Sequence, residues 1–277
     1  MLARLKYDPF KFFEESPSVY GPLAKRRAKK PFTDHDTKII KQFVARMRES
    51  QQEDGSWGGA TSDTVRTLDI LRSLNVMKTE KWVARAIDWV IQQHNGPLAY
   101  RQGFFALPED TEYLTPGLLP TGEPISSETS TRHVYGELAL AVLLRYSERS
   151  RGEVQTALAA MRGLLVGRYS VKGFYCCGAC TASMWQVLGT MPQATSPRVI
   201  NDGMETLKQN RHEDGSWHRF PFYFTLMSLS RLPYAPARRE IRYAADRLKR
   251  SQRADGGFDQ ADREAKTYAA VAALSVL

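Results

Sequence analysis

The sequence has few cysteines and no long apolar run. All three cysteines of the 277 residues fall within Cys176–Cys180, which excludes the disulfide-stabilised secreted classes and fits a reducing compartment. The longest apolar stretches, 138–144 and 268–277, fall short of the roughly 20 residues that a membrane-spanning helix needs. Charged residues interrupt the first 15 positions, so no signal peptide is expected. These absences predict a cytoplasmic protein.

Acidic residues are scarce near the N-terminus. Residues 1–50 hold 12 Lys and Arg against 6 Asp and Glu, a net +6 out of the +9 of the whole chain. The centre of this excess is the basic run Lys25–Lys30. It is interpreted either as a solvated linker or as a peripheral contact with anionic lipid heads. A nucleic-acid partner is not expected, because no nucleic-acid-binding motif accompanies the run.

Strand-like alternation is not sustained anywhere, whereas helix-period apolar patterns recur and predict an all-α protein. A short turn motif repeats between these patterns. It reads Gln-Gln-Glu-Asp-Gly-Ser-Trp at 51–57, His-Glu-Asp-Gly-Ser-Trp at 212–217 and Gln-Arg-Ala-Asp-Gly-Gly-Phe at 252–258. Weaker copies lie at 92–96 and 173–175.

The glycines of this motif recur at a nearly constant interval. They are Gly55, Gly96, Gly173, Gly215 and Gly256, with steps of 41, 77, 42 and 41. The step of 77 is interpreted as a double step in which one copy has lost its glycine. Each Asp-Gly is expected to end the preceding helix, because glycine adopts the left-handed conformation of a helix end. A helix pair of about 41 residues must stack on copies of itself. The spacing therefore predicts about six helix pairs over residues 31–277, preceded by an N-terminal extension, residues 1–30.

The glutamine, the Asp-Gly pair and the following aromatic residue together resemble the repeat motif of the terpene cyclase and protein prenyltransferase superfamily, as in the repeats of squalene–hopene cyclases. The resemblance covers the chain from about Ile39 to its end. It implies an α/α toroid, in which helix pairs close into a ring and the inner helices surround an apolar cavity. It also implies that Gln51, Trp57, Trp217 and Gln252 tie neighbouring helices together.

The same resemblance places the start of each inner helix at the mouth of the cavity. Asp63, Glu128 and Cys180 lie at such positions and are the candidate catalytic residues. Cyclases of the superfamily protonate a polyene with an Asp-x-Asp-Asp cluster, which must act as a strong acid in a dry cavity. This sequence has no such cluster, and the isolated carboxylates Asp63 and Glu128 do not replace it, since helix-start residues of this type are favoured by the helix dipole. Whether the chain is an enzyme therefore stays open.

The prenyltransferases of the superfamily hold a thiolate on zinc through an Asp-x-Cys pair and a later His. Cys180 falls on the cysteine position, but Gly178 and Pro221 occupy the other two. We therefore expect no metal of this type and no cofactor. The run 176–180 is interpreted as small core residues, as a reactive thiol, or as another metal site with His218, although its two adjacent cysteines would have to turn toward one ion.

A phosphate-bearing ligand would need basic residues on the inner ring. The resemblance points to Arg132, with His133 beside it, and to Lys172, since Arg and Lys pair with phosphate oxygens. Surface salt bridges are the alternative. The further candidate ligand-binding residues are Tyr135, Trp185, His218 and Tyr223. The sequence thus predicts a domain that binds an isoprenoid or other apolar ligand in a central cavity. The alternative is a non-catalytic helical-repeat scaffold that binds a partner protein.

Overall fold

The computed structural model describes residues 2, 5–94, 105, 107, 117–167, 169, 173–191 and 196–277. Twelve helices account for most of these residues. They are α1 (Pro9–Glu14), α2 (Tyr20–Arg27), α3 (Asp34–Glu49), α4 (Thr61–Ser73), α5 (Lys81–Gln92), α6 (Glu128–Arg145), α7 (Gly152–Val166), α8 (Gly178–Gly189), α9 (Pro197–Gln209), α10 (Phe222–Leu229), α11 (Ala235–Ser251) and α12 (Arg263–Leu274). None of them is long and apolar enough to cross a lipid bilayer.

The helices alternate between an outer and an inner layer. Helices α6, α8, α10 and α12 are buried around most of their circumference, whereas α3, α9 and α11 bury one face. The inner helices contact one another in the order α4, α6, α8, α10, α12 and α2. Arg26 on α2 donates a hydrogen bond to the carbonyl of Ser73 at the end of α4, at 2.9 Å, and so closes the ring. The predicted all-α toroid of about six helix pairs is confirmed.

The repeat turns connect each outer helix to its inner partner. Gly55, Gly215 and Gly256 have φ angles of 101°, 91° and 91°, a region that favours glycine. The glycine does not end the helix, however, because α3 already ends at Glu49. Instead, the N–H of Gly55 donates to the carbonyl of Gln52 at 3.0 Å and completes a separate turn. The predicted conformation is confirmed, and the predicted helix end is wrong.

The double step between Gly96 and Gly173 does not hide a lost helix pair. Helix α6 contacts both α4 and α8 directly, so the inner ring has no place for another helix between them. Helix α5 ends at Gln92 and α6 begins at Glu128, so the connection between this outer helix and this inner helix is long, and of it only residues 93, 94, 105, 107 and 117–127 are described. The interpretation of a lost copy is therefore wrong. Gly96 itself lies outside the described residues.

The sixth helix pair is formed by α1 and α2. Phe10, Phe12 and Phe13 of α1 are buried, and α2 packs against α12 and α3. Residues 9–27 therefore share one core with the rest of the ring. The division of the chain near residue 30 stays a prediction.

Candidate functional site

A plug covers the end of the ring where the sequence predicted a cavity mouth. We use this name for residues 117–125, which lie at the N-terminal ends of the inner helices. The carboxylate of Glu123 accepts hydrogen bonds from the backbone N–H groups of Tyr223 and Phe224, in the first turn of α10, at 3.0 and 2.7 Å. Tyr135 on α6 donates its hydroxyl to the carbonyl of Leu118 at 2.6 Å. These bonds attach the plug to two inner helices.

Behind the plug, a chamber of about 30 Å³ lies at the centre of the ring. This volume holds about two water molecules. Its wall is mainly apolar and aromatic and includes Tyr20, Leu23, Val65, Tyr135, Leu138, Val142, Met227 and Tyr268. Burial raises the pKa of Tyr135 to about 12, so its hydroxyl is neutral at physiological pH. Tyr135 is thus the one candidate ligand-binding residue found among the described residues that line the chamber.

An ion cluster lies at the other end of the chamber. Asp69 on α4 accepts hydrogen bonds from Arg231 at 2.6 and 3.1 Å, and it also pairs with Arg145 on α6. Burial alone would raise the pKa of Asp69, but the two guanidinium groups hold it well below its usual range. Asp69 is therefore ionised at neutral pH and is unsuited to protonate an alkene.

Beyond this cluster, a pocket of about 560 Å³ opens at the C-terminal ends of the inner helices. Its volume lies within the range of about 300–1,000 Å³ that is usual for small-molecule sites. We call it the basic pocket, because its lining includes Arg26, Arg27, Lys29, Arg72, Arg145 and Arg231. No carboxylate is found among the described residues that line it. Leu23, Ser73, Gln186 and Tyr268 line both the pocket and the chamber, so the two spaces adjoin.

The cations of the basic pocket are incompletely neutralised. Burial lowers the pKa of Arg145, and repulsion from Arg231 and Arg27 lowers it further. The attraction of Asp69 acts in the opposite direction but does not outweigh them. The side chain of Arg231 is only 11% exposed, and its Nε has no hydrogen-bond partner within the described part of the chain. Cations are favourable at helix C-termini, but a buried donor without an acceptor costs free energy. This combination fits the binding of an anion.

The three candidate catalytic residues lie where the repeat register predicted. Asp63, Glu128 and Cys180 occupy the first turns of α4, α6 and α8. Asp63 and Glu128 are exposed, while Cys180 is fully buried. Glu128 pairs with Arg132 at 2.5 Å, four positions along the same helix. Arg132 therefore forms a salt bridge with Glu128, and a salt bridge was the alternative to a phosphate-binding role for Arg132.

The predicted phosphate-binding residues are not part of the basic pocket. Arg132 and His133 lie near the start of α6, whereas the pocket is built at the helix C-terminal ends. Lys172 lies outside the described residues. The basic residues predicted from the sequence thus lie at the N-terminal ends of the inner helices, whereas the basic pocket lies at their C-terminal ends.

The remaining candidates do not share one site. Trp185 is fully buried, and its ring stacks on that of Phe220 with centroids 5.8 Å apart. His218 is exposed. Tyr223 is buried under the ammonium group of Lys266, which lies 5.6 Å from the centre of its ring. Trp185 therefore serves the core, and none of the three is among the residues that line the central chamber.

Comparison with known proteins identifies the fold. No family model and no curated protein match the sequence. Among solved structures, a variant of the type II terpene cyclase MstE from Scytonema, in complex with its substrate geranylgeranyl dihydroxybenzoate, has a TM-score of 0.56 at 12% identity, covering 94% of this chain and 87% of that chain. Apo MstE has a TM-score of 0.57 at 11% identity, covering 94% and 86%. A protein from Actinoplanes has a TM-score of 0.56 at 14% identity, covering 94% and 89%. The chain thus has the α/α-toroid fold of the type II terpene cyclases.

Proposed function

We propose that this toroid binds an isoprenoid-like amphiphile, with its anionic head in the basic pocket and its apolar chain directed into the central chamber. The observation that carries the proposal is that a pocket lined by six cations adjoins an apolar chamber. MstE, of the same fold, is known in complex with a geranylgeranyl-bearing substrate and with the product merosterolic acid A. That likeness supports the ligand class, while the pocket indicates the charge of the head.

Phosphate or diphosphate is the head that best matches this pocket. Guanidinium groups bind phosphate oxygens through paired N–H donors, and the pocket has five arginines and one lysine. Arg27 and Lys29 are exposed and can turn toward a ligand. An anionic head would relieve the repulsion among the cations.

The apolar chain requires the chamber to widen, because about 30 Å³ holds no prenyl unit. Leu23 and Tyr268 stand on the boundary between pocket and chamber. Met227 lines the chamber and has the flexible side chain that adapts to irregular ligands. In the proposed complex these three side chains move aside and the chain occupies the space between α2, α10 and α12.

We propose that binding is not followed by cyclisation started by a proton. Asp69, the one carboxylate among the described residues that line the chamber, is held ionised by two arginines. Glu123, whose pKa is raised by burial, already accepts two backbone hydrogen bonds from α10 and one from Thr121 at 2.8 Å. Neither carboxyl group is arranged as a free proton donor toward an alkene.

The small chamber favours a second candidate, a non-catalytic scaffold whose ring is filled by its own side chains. Such a scaffold would use the toroid as a broad surface for a partner protein. It would bind an anion in the basic pocket equally well whether or not that anion carries an apolar chain. The two candidates therefore differ in one measurable property, the contribution of the apolar chain to affinity.

Calorimetry with farnesyl diphosphate, inorganic diphosphate and farnesol measures this contribution. The proposal predicts that farnesyl diphosphate binds more tightly than either of the others, because it alone uses both spaces. Equal affinities for farnesyl diphosphate and inorganic diphosphate would show that the apolar chain adds nothing to binding and would favour the scaffold. Absence of binding by all three would contradict the proposal.

The anionic head has two sources, a free isoprenoid diphosphate or the head of a membrane lipid. Three residues of the basic run Lys25–Lys30 line the pocket, so a peripheral membrane contact uses the same chemistry. Co-sedimentation with anionic and with neutral vesicles separates the sources. Binding to anionic vesicles that farnesyl diphosphate displaces would assign the head to the membrane, and absence of vesicle binding would assign it to the free ligand.

A further inference from the structure

Three thiols converge at the start of α8. Cys177 is the N-cap of this helix, and its sulfur accepts a hydrogen bond from the backbone N–H of Cys180 at 3.2 Å. The Sγ atoms of Cys177 and Cys180 lie 2.9 Å apart. The Sγ atom of Cys176 lies within 4.8 Å of that of Cys180. The adjacent cysteines, 176 and 177, therefore turn toward the same point, which the sequence left open.

A histidine from the neighbouring inner helix joins these thiols. The ligand atoms of His133, Cys176 and Cys180 all lie within 4.8 Å of one another. His133 and Cys180 are buried, with 3% and 0% of their surfaces exposed. The ring of Tyr175 stacks on the imidazole, with centroids 5.5 Å apart and planes inclined by 18°, and so holds its orientation. The histidine whose ligand atom approaches the cysteines is thus His133 on α6, whereas His218, which the sequence suggested, is exposed and is not part of this group.

The ligand types select zinc. Thiolate and imidazole groups suit Zn²⁺, while Ca²⁺ and Mg²⁺ require oxygen ligands. Two residues separate Cys177 from Cys180, and three separate Cys176 from Cys180, within the two to four that are usual between zinc-binding cysteines. With bonds of about 2.3 Å to sulfur and about 2.0–2.1 Å to nitrogen, tetrahedral ligand atoms stand roughly 3.5–3.8 Å apart. The ligand atoms of His133, Cys176 and Cys180 lie within 4.8 Å of one another, and Sγ of Cys177 lies 2.9 Å from Sγ of Cys180.

We propose that Cys176, Cys177, Cys180 and His133 form a four-coordinate structural zinc site that joins α6 to α8. This ligand set differs from that of the prenyltransferases. The positions that correspond to their aspartate and later histidine ligands are occupied here by Gly178 and Pro221. A site closed by four protein ligands leaves no position for a substrate thiolate, so its role is to hold the two inner helices together. The site is independent of the proposed amphiphile binding.

The surroundings give an ion access to the cysteines. Cys176 and Cys177 are half-buried, and Cys177 lines a pocket of about 340 Å³ that gives access from the surface. The N-terminus of the twelve-residue α8 favours the negative charge of the thiolates. No metal was expected from the sequence because the aspartate and later histidine of the prenyltransferase zinc site are missing. His133 is not a ligand in that site and so did not enter the expectation.

Cobalt substitution tests the site with the metal alone. Metal-free, reduced wild type titrated with Co²⁺ should show thiolate-to-cobalt charge-transfer bands that saturate at one ion per chain and disappear when Zn²⁺ is added. Cys180→Ser and His133→Ala should reduce cobalt affinity at least tenfold, and His218→Ala, which changes an exposed histidine, should leave it unchanged. Absence of charge-transfer bands in wild type, or equal affinities for all variants, would overturn the proposal.

A second measurement does not depend on the folding of variants. Cys176 and Cys177 of reduced wild type are alkylated with iodoacetamide, and modified thiols are counted by mass spectrometry. One equivalent of Zn²⁺ should slow the alkylation of both at least tenfold. Equal rates with and without zinc would overturn the site. A Cys177–Cys180 disulfide in the purified protein, with no zinc taken up after reduction, would also overturn it.

Discussion

The side-chain amide of Gln252 forms two hydrogen bonds with the backbone of Tyr7, 245 positions earlier in the chain. Its Nε2 donates to the carbonyl at 2.8 Å, and its Oε1 accepts from the N–H at 2.9 Å. Gln51 makes the matching contact in the first repeat, where its Nε2 donates to the carbonyl of Trp82 at 2.8 Å. Each glutamine links a repeat turn to the region of the next outer helix. Through Gln252, this link joins the last repeat to the N-terminal helix pair.

Gln252→Ala should lower the free energy of unfolding by about 1–3 kcal/mol, because the N–H and carbonyl of Tyr7 both lose their partner. Urea denaturation followed by circular dichroism measures the change. Gln260→Ala is the matched control, since Gln260 is exposed. Equal stability of the two variants would show that the ring closure does not depend on the glutamine.

Trp57→Ala and Trp217→Ala should each lower the free energy of unfolding by about 3–5 kcal/mol, the usual cost of removing a large core aromatic side chain. Both indoles are buried, and they donate hydrogen bonds to the carbonyl of Met47 at 2.8 Å and to the carboxylate of Glu240 at 3.1 Å. Chemical denaturation with both variants is the measurement. Midpoints within error of wild type would contradict the structural role of the repeat motif.

Asp69→Asn should lower the free energy of unfolding by about 3–5 kcal/mol at pH 7, because Arg145 and Arg231 would lose the carboxylate that compensates their buried charges. The pKa of Asp69 is depressed in the folded state. Its contribution is therefore fully present above the unfolded pKa of about 3.9 and is lost as the pH falls toward the folded pKa.

The stability difference between wild type and Asp69→Asn should thus be constant from pH 8 to about pH 5 and shrink below it. Denaturant melts across this range measure it. The control is Asp88→Asn, in which the exposed pair with Arg151 is removed and at most about 1 kcal/mol should be lost. A difference that does not change down to pH 3 would mean that the charge of Asp69 is not what stabilises the cluster.

The sequence was sufficient for the fold because each repeat has the same local chemistry. A glycine with positive φ and an apolar helix on each side recur at a fixed interval, and stacking is then the one way to bury those helices. The interval fails between Gln92 and Glu128, where the connection from α5 to α6 is longer than the matching connection in the other repeats. The repeat motif carries no signal for the pair α1–α2, because this pair precedes the first motif.

The candidate site was less predictable because it depends on which end of the ring stays open. Residues 117–125 of the long connection form the plug at the N-terminal ends of the inner helices, and no local pattern in the sequence reveals that position. A signal for the other end was nevertheless present. Arg72 lies 17 positions after Gly55, and Arg231 lies 16 positions after Gly215, so both occupy nearly equivalent positions near the ends of inner helices. The ion cluster with Asp69 needs contacts 162 positions apart, which only the closed ring provides.

The most direct test of the proposed function is calorimetry of farnesyl diphosphate binding to four variants. Removing one charge-assisted bond to a phosphate costs about 1.5–3 kcal/mol, so Arg27→Ala and Arg72→Ala should each weaken binding by about 10- to 100-fold. Arg198→Ala, which alters an arginine that is 80% exposed, is the control for surface charge. Arg132→Ala tests the rival location at the plugged end. The account predicts that only the two basic-pocket variants lose affinity, and a loss confined to Arg132→Ala, or no loss in any variant, would contradict it.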